Sequence, residues 1–177
     1  MNHMENNHLL KMGIVVHDIE AAARHYCELF GMEMPPISIP DPYAAPEPTE
    51  DSYTWQRGEL RPTRTKMCVL KMGPMVLELL EPYDEPSPWN EYKQSRGQGV
   101  HFVMFTVNGF NQHIDFLEGK GYPLNHKGEY GARTVTAILT PKINLALRLD
   151  CRSSVRSRIR EVCTTGTRRM IPFAEKE

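Results

Sequence analysis

Met75–Pro82, MVLELLEP, decides the reading of this chain: an apolar run closed by prolines with one carboxylate, Glu78, at its centre. As a β-strand its side chains alternate, so Val76, Glu78 and Leu80 share one face while Leu77 and Leu79 share the other. A carboxylate in so apolar a strand must reach solvent, meet a partner or be kept for chemistry, because burying it unpaired costs on the order of several kcal/mol.

Upstream, LLKMGIVVHDIEAAARHYCELFGMEMP runs from Leu9 to Pro35. Met12, Ile14 and Val16 alternate with Lys11, Gly13 and Val15, which predicts a strand. Asp18 then offers an N-cap, and Ile19, Ala22, Ala23, Tyr26 and Phe30 recur at helical spacing until Gly31 ends the helix. Residues 35–48 hold six prolines, too many for a strand or helix interior, and read as a surface loop of lid length. Three strands are expected next: Tyr53–Glu59, Thr65–Met72 and Met75–Glu81, the last two joined at Gly73-Pro74.

Pro82–Gly99 reads as a linker with a short helix around Trp89–Gln94. After it the opening pattern returns. Val100–Val107 is a strand, Asn108 or Gly109 caps a helix carrying Phe110, Ile114 and Leu117, and Gly119–Gly121 ends it. Tyr130–Thr140 and Ile143–Asp150 read as strands, with His126–Tyr130 before them as a connection. KMGIVV against FVMFTV marks an internal repeat, and a supersecondary unit too small to bury its own face implies that two copies pack together.

Composition excludes several function classes. The chain of 177 residues is 40% hydrophobic, enough for one good core. Its opening MNHMENNH lacks the apolar centre of a signal peptide and no stretch approaches a membrane span, so a cytoplasmic location is expected. Cys27, Cys68, Cys151 and Cys163 show no paired spacing and read as reduced thiols, with Cys27 and Cys68 in the core. Residues 1–150 carry 14 Lys and Arg against 19 Asp and Glu, an acidic body that argues against nucleic-acid binding. From Cys151 onward the balance reverses to 7 against 3. In that basic tail Val155, Ile159 and Val162 at helical intervals suggest a docking helix.

With HDIEAAARHYCELFGM, MGPMVLELLEP, GQGVHFVMFTV and GKGYPL quoted, the chain resembles the vicinal oxygen chelate superfamily of glyoxalase I, methylmalonyl-CoA epimerase, extradiol dioxygenases and bleomycin-resistance proteins. The resemblance covers about residues 9–150. It implies an α+β fold of two tandem βαβββ modules forming a half-open barrel around a cleft. The corresponding division is a tail 1–8, a first module 9–82 with the Pro-rich loop 35–48, a linker 83–99, a second module 100–150 and the basic tail 151–177.

Metal-using members of that superfamily place a His on the first strand of each module and a Glu or Gln on the last around one divalent ion. Matched position by position, Lys11 stands for the first His and Glu78 for the first acid. His101 matches the first of two consecutive histidines, Phe102 the second, which is the ligand; Arg148 aligns with the closing Glu, or Leu147 if the alignment shifts by one residue. Lys and Arg offer no lone pair at neutral pH, so neither a metal nor another cofactor is expected. A one-residue slip would bring His101 to the cleft, but only by turning Val103 and Phe105 away from the helix they should cover.

Two readings of the altered cleft stand side by side. In one, Glu78 is a general base toward a carbon acid while Lys11 and Arg148 hold the oxygen that becomes negative, which implies a lyase or isomerase acting next to a carbonyl. In the other, Glu78 and Lys11 are a structural ion pair in a cleft that sequesters small molecules, as drug-resistance relatives do. Phe102 and Met104 would form an apolar floor and Trp55 a stacking wall. Arg57, with Arg61, Arg64 and Lys66, would clamp an anionic tail such as that of a coenzyme A ester. The partners implied are a small, anionic molecule and a second copy of the chain. His17, His25, His113 and His126 show no ligand spacing and read as surface or helix-edge residues.

Overall fold

The computed structural model describes residues 1–4, 7–41, 43, 52–61, 64–130, 134–139 and 146–152. These form three helices and one open, mixed ten-stranded sheet. The strands are β1 (Lys11–Val15), β2 (Ile37–Ser38), β3 (Ser52–Gln56), β4 (Glu59–Leu60), β5 (Thr65–Met72), β6 (Met75–Pro82), β7 (Gly99–Thr106), β8 (Leu124–Tyr130), β9 (Thr134–Leu139) and β10 (Ala146–Arg152). The helices are α1 (Ile19–Phe30), α2 (Pro88–Arg96) and α3 (Phe110–Gly119).

Across the sheet the order is β2-β5-β6-β1-β7-β10-β9-β8-β3-β4. The two halves of the chain are wired alike: β1 pairs in parallel with β6, and β7 in parallel with β10. They join where β1 meets β7 antiparallel. This order follows from local signals in the chain. Asp18 caps α1 by accepting from the Ala21 amide, and Gly31 ends it at φ 62. Gly73, at φ 61, opens the two-residue connection between β5 and β6, where a primed hairpin turn needs a positive φ.

Two cores cover one face of the sheet. Ile19, Ala23 and Cys27 of α1 pack on Cys68, Leu70, Leu77 and Leu79, and Phe110, Ile114 and Leu117 of α3 pack on Ala137, Leu139 and Leu149. The other face carries Val15, Leu80, Phe102, Met104, Ile138 and Ala146, covered by Trp89 of α2 with Tyr92 beside it. The linker helix therefore lies on the face to which Glu78 belongs. Ser87 accepts from the Asn90 amide, Pro88 opens the first turn, and Lys93 and Arg96 close the last, so α2 has its own start and stop signals.

Three strand expectations need correction. The segment beginning at Tyr53 is not the second strand of the first half: β3 pairs with β8 and extends the far edge of the sheet. The strand that does follow α1 is Ile37–Ser38, inside the Pro-rich segment, bonded to Cys68 and Met67 of β5. An edge strand needs donors on one side only, which lets a two-residue strand survive among prolines. His126–Tyr130 is not a connection but part of β8, paired with both β9 and β3. The basic-tail helix expected around Val155–Val162, and Cys163, lie outside the described residues, as does the side chain of Cys151.

Candidate functional site

Strand register brings Lys11, Glu78 and Arg148 together. Lys11 is paired with Val76 and Gly13 with Glu78. Lys11 is also opposite Met104, and Arg148 is opposite Met104 on the other side. Four neighbouring strands thus project these side chains onto the α2 face. The Lys11 Nζ donates to Glu78 Oε1 at 2.7 Å and an Arg148 Nη donates to Glu78 Oε2 at 3.1 Å. The Glu78 side chain is 6% exposed, that of Arg148 12% and that of Lys11 20%. Among the described residues, one carboxylate between two cations leaves one positive charge unmatched in a largely desolvated place, where electrostatic effects are strong. Among the described residues the Arg148 Nε has no hydrogen-bond acceptor.

Phe102 is wholly buried, and its ring lies against the β1 backbone. A Cβ on Gly13 would sit 2.2 to 2.7 Å from three of its ring carbons. The Arg148 guanidinium rests over the same ring, 5.0 Å from its centroid, a cation–π contact. Met104 is buried beside it. Met67 and Val69 of β5 face Leu80 and Glu78 across the ladder and stay 38% and 43% exposed, leaving an apolar ledge open beside the carboxylate.

His101 enters this face by a route that a plain register argument misses. Gly13 pairs with Phe102 but Ile14 pairs with Val100, so His101 is the extra residue of a β-bulge. It is buried, with its ring 5.2 Å from Tyr92 of α2 and 5.8 Å from Phe102. Val103 keeps its place between Met12 and Leu147. The bulge brings His101 to this face without a slip in the register of Val103 and Phe105.

His126, read from the sequence as a surface or helix-edge residue, is buried on this face as well. It is 1% exposed, neither ring nitrogen has a hydrogen-bond partner among the described residues, and Trp89 packs edge-on at 5.1 Å. Burial first, then the charge of Arg148, pushes His126 down to about 3 and His101 down to about 4, so both imidazoles are neutral at pH 7. A second bulge at Asn125 aims His126 here, opposite Ile138 and Gln56. His113, expected at the surface or a helix edge, is buried on α3 with Nδ1 3.0 Å from the Gly109 carbonyl.

The remaining expected site residues lie elsewhere. Trp55 falls on the opposite face from Gln56 by strand alternation, because Gln56 is the one that reaches α2. Arg57 donates to Glu91 of α2 at 2.7 Å and to the Asn125 side chain at 3.1 Å. Arg61 pairs with Glu59, Arg64 with Glu85 and Lys66 with Glu81. The basic segment is thus divided among separate carboxylates and does not converge as a clamp.

The donor set does not fit the divalent ion of the metal-using relatives. Both Glu78 oxygens are held by cations, and Phe102 fills the place opposite Gly13. Among the described residues no three His, Cys, Asp or Glu side chains are grouped to hold a metal. Among them, too, no helix is long and apolar enough to cross a membrane.

A family model described as Glyoxalase/Bleomycin resistance protein/Dioxygenase superfamily matches residues 11–138. No curated protein matches the chain significantly. Among solved structures, a hypothetical protein from Bacillus halodurans C-125 aligns with TM-score 0.55 at 22% identity, over 85% of this chain and 98% of that one. Methylmalonyl-CoA epimerase from Mycobacterium tuberculosis aligns with TM-score 0.53 at 19% identity, over 86% and 95%. A Streptomyces coelicolor methylmalonyl-CoA epimerase variant in complex with 2-nitronate-propionyl-CoA gives 0.51 at 20%, over 84% and 96%. At these identities the likeness is one of fold.

Proposed function

Because the chain belongs to the glyoxalase/bleomycin resistance protein/dioxygenase superfamily, we propose that its cleft binds a small anionic carbonyl compound and acts on it as an isomerase or lyase through proton abstraction next to the carbonyl. The observation that carries this reading is the surplus positive charge at Lys11, Glu78 and Arg148, buried beside an open apolar ledge. The repeated wiring of residues 9–82 and 100–150 supports treating the two halves as tandem βαβββ modules with the cleft between them.

Lys11 and Arg148 take the substrate's carboxylate or carbonyl oxygen, and in doing so release Glu78 from its two ion pairs. Glu78, next to Val69 and Gly13 and short of solvent, then accepts the proton of the adjacent carbon. The C–H electron pair passes toward the carbonyl, and the enolate oxygen stays against the two cations, where charge stabilisation is most effective. Returning the proton from Glu78 to a different atom of the enolate completes an isomerisation. None of these steps uses a metal.

A second reading is favoured by a separate observation. Trp89, Tyr92 and Phe102 line the same face, and an aromatic wall of this kind suits sequestration of a flat molecule without chemistry. One experiment distinguishes the two. The protein is screened by thermal shift against 2-oxo acids, acyl-CoA esters and aromatic antibiotics, and each stabilising compound is incubated in D2O and followed by proton NMR. Catalysis predicts loss of the signal next to the carbonyl with the wild type and retained binding without exchange in Glu78→Gln. Full exchange by Glu78→Gln would overturn the base role, and binding without exchange by the wild type would select sequestration.

A further inference from the structure

The polar atoms without partners on the α2 face are gathered in one place. Among the described residues, His126 Nδ1 and Nε2, His101 Nδ1, Trp89 Nε1 and Arg148 Nε all lack hydrogen-bond partners. His126, His101 and Trp89 are each at least nine-tenths buried. Buried polar groups in folded proteins are nearly always satisfied, so several orphans on one face point to a ligand that satisfies them. The same short helix covers both histidines: Trp89 packs on His126 and Tyr92 on His101.

What fastens that helix at its outer side is exposed. Glu91 accepts from Gln56 Nε2 at 3.0 Å and from Arg57 at 2.7 Å, with the Arg57 and Glu91 side chains 64% and 41% exposed. Ion pairs in such positions hold little free energy. The clasp ties α2 to the hairpin of β3 and β4 at the far edge of the sheet, whereas Lys11 and the ledge of Met67 and Val69 lie toward the other edge.

We infer that α2 is a removable cover over a second subsite, in which His126 and His101 hydrogen-bond an uncharged oxygen of the ligand whose charge is met by Lys11 and Arg148. This rests on the reading of the cleft as an anion site and narrows its ligand to a small acid bearing a second oxygen near its carboxylate, such as a 2-oxo or 2-hydroxy acid. A neutral imidazole donates from one nitrogen and accepts at the other, so the pair serves a carbonyl or a hydroxyl.

Diethyl pyrocarbonate acylates neutral imidazole nitrogens that solvent can reach, and peptide mapping reads each histidine separately. In the full-length protein near neutral pH, exposed His25 serves as the internal reference. Glu91→Ala is expected to speed labelling of His126 and His101 about two- to fivefold relative to His25, the range open to a surface clasp. Arg57→Ala, which breaks the clasp from its other side, repeats the test should the first variant fold poorly. Unchanged labelling in a folded variant overturns the removable cover. Pyruvate at millimolar concentration is then added to the Glu91→Ala protein, and propionate is compared as the acid lacking the second oxygen. Stronger protection of both histidines by pyruvate is the expected result. Equal protection by the two acids overturns the histidine subsite and leaves the anion site standing, whereas protection by neither overturns the anion site as well.

Discussion

Lowering the pH from 7 to 5 should cost this protein about 4 kcal/mol of folding stability through two histidines. His101 is held down at about 4 and His126 at about 3, first by burial and then by Arg148, whereas both return to about 6.5 when the chain unfolds. Below pH 6.5 the unfolded chain therefore binds protons that the folded chain refuses, and stability falls as pH falls. Each group contributes about 1.4 kcal/mol per pH unit once titration of the unfolded state is well advanced, hence about 2 kcal/mol apiece at pH 5. The contribution stops growing below the folded values, near pH 4 for His101 and near pH 3 for His126. Against a typical total of about 5 to 15 kcal/mol, that is a large fraction. Urea unfolding followed by circular dichroism at half-unit steps measures it. The double variant His101→Gln, His126→Gln should lose most of the slope. A wild-type stability flat between pH 7 and pH 5, or a slope that survives in the double variant, would refute the reasoning.

Two further perturbations test the packing of the same face. Gly13→Ala forces a methyl group into the Phe102 ring and should lower stability by about 1 to 3 kcal/mol; adding Phe102→Leu should recover part of that, so purely additive losses in denaturant melts would contradict the contact. Glu78→Leu leaves Lys11 and Arg148 without their counter-charge and should cost roughly 3 to 5 kcal/mol. The triple variant with Lys11→Met and Arg148→Met should regain most of it, and a triple variant no better than Glu78→Leu would show that the cluster is not held by charge.

The sequence by itself determined the strands around Glu78, the two capped helices, the likeness of the two halves and the family. These rest on short-range periodicity, on caps such as Asp18 and on the glycine turn at Gly73, all written within a few residues. Glu78 stands out as the carboxylate at the centre of an apolar strand, whereas Lys11 and Arg148 are named through the family resemblance, position by position. Only the tertiary structure decided what lies over them. Bulges at His101 and Asn125 re-aim two histidines, and a bulge is an agreement between two strands that neither records alone. The attachment of β3 to β8 instead of β5 likewise depends on which distant edge is free. Last, the docking of α2 onto Phe102 and His126 depends on contacts far apart along the chain, and for that reason the linker's own start and stop signals mark a helix but not the face it covers.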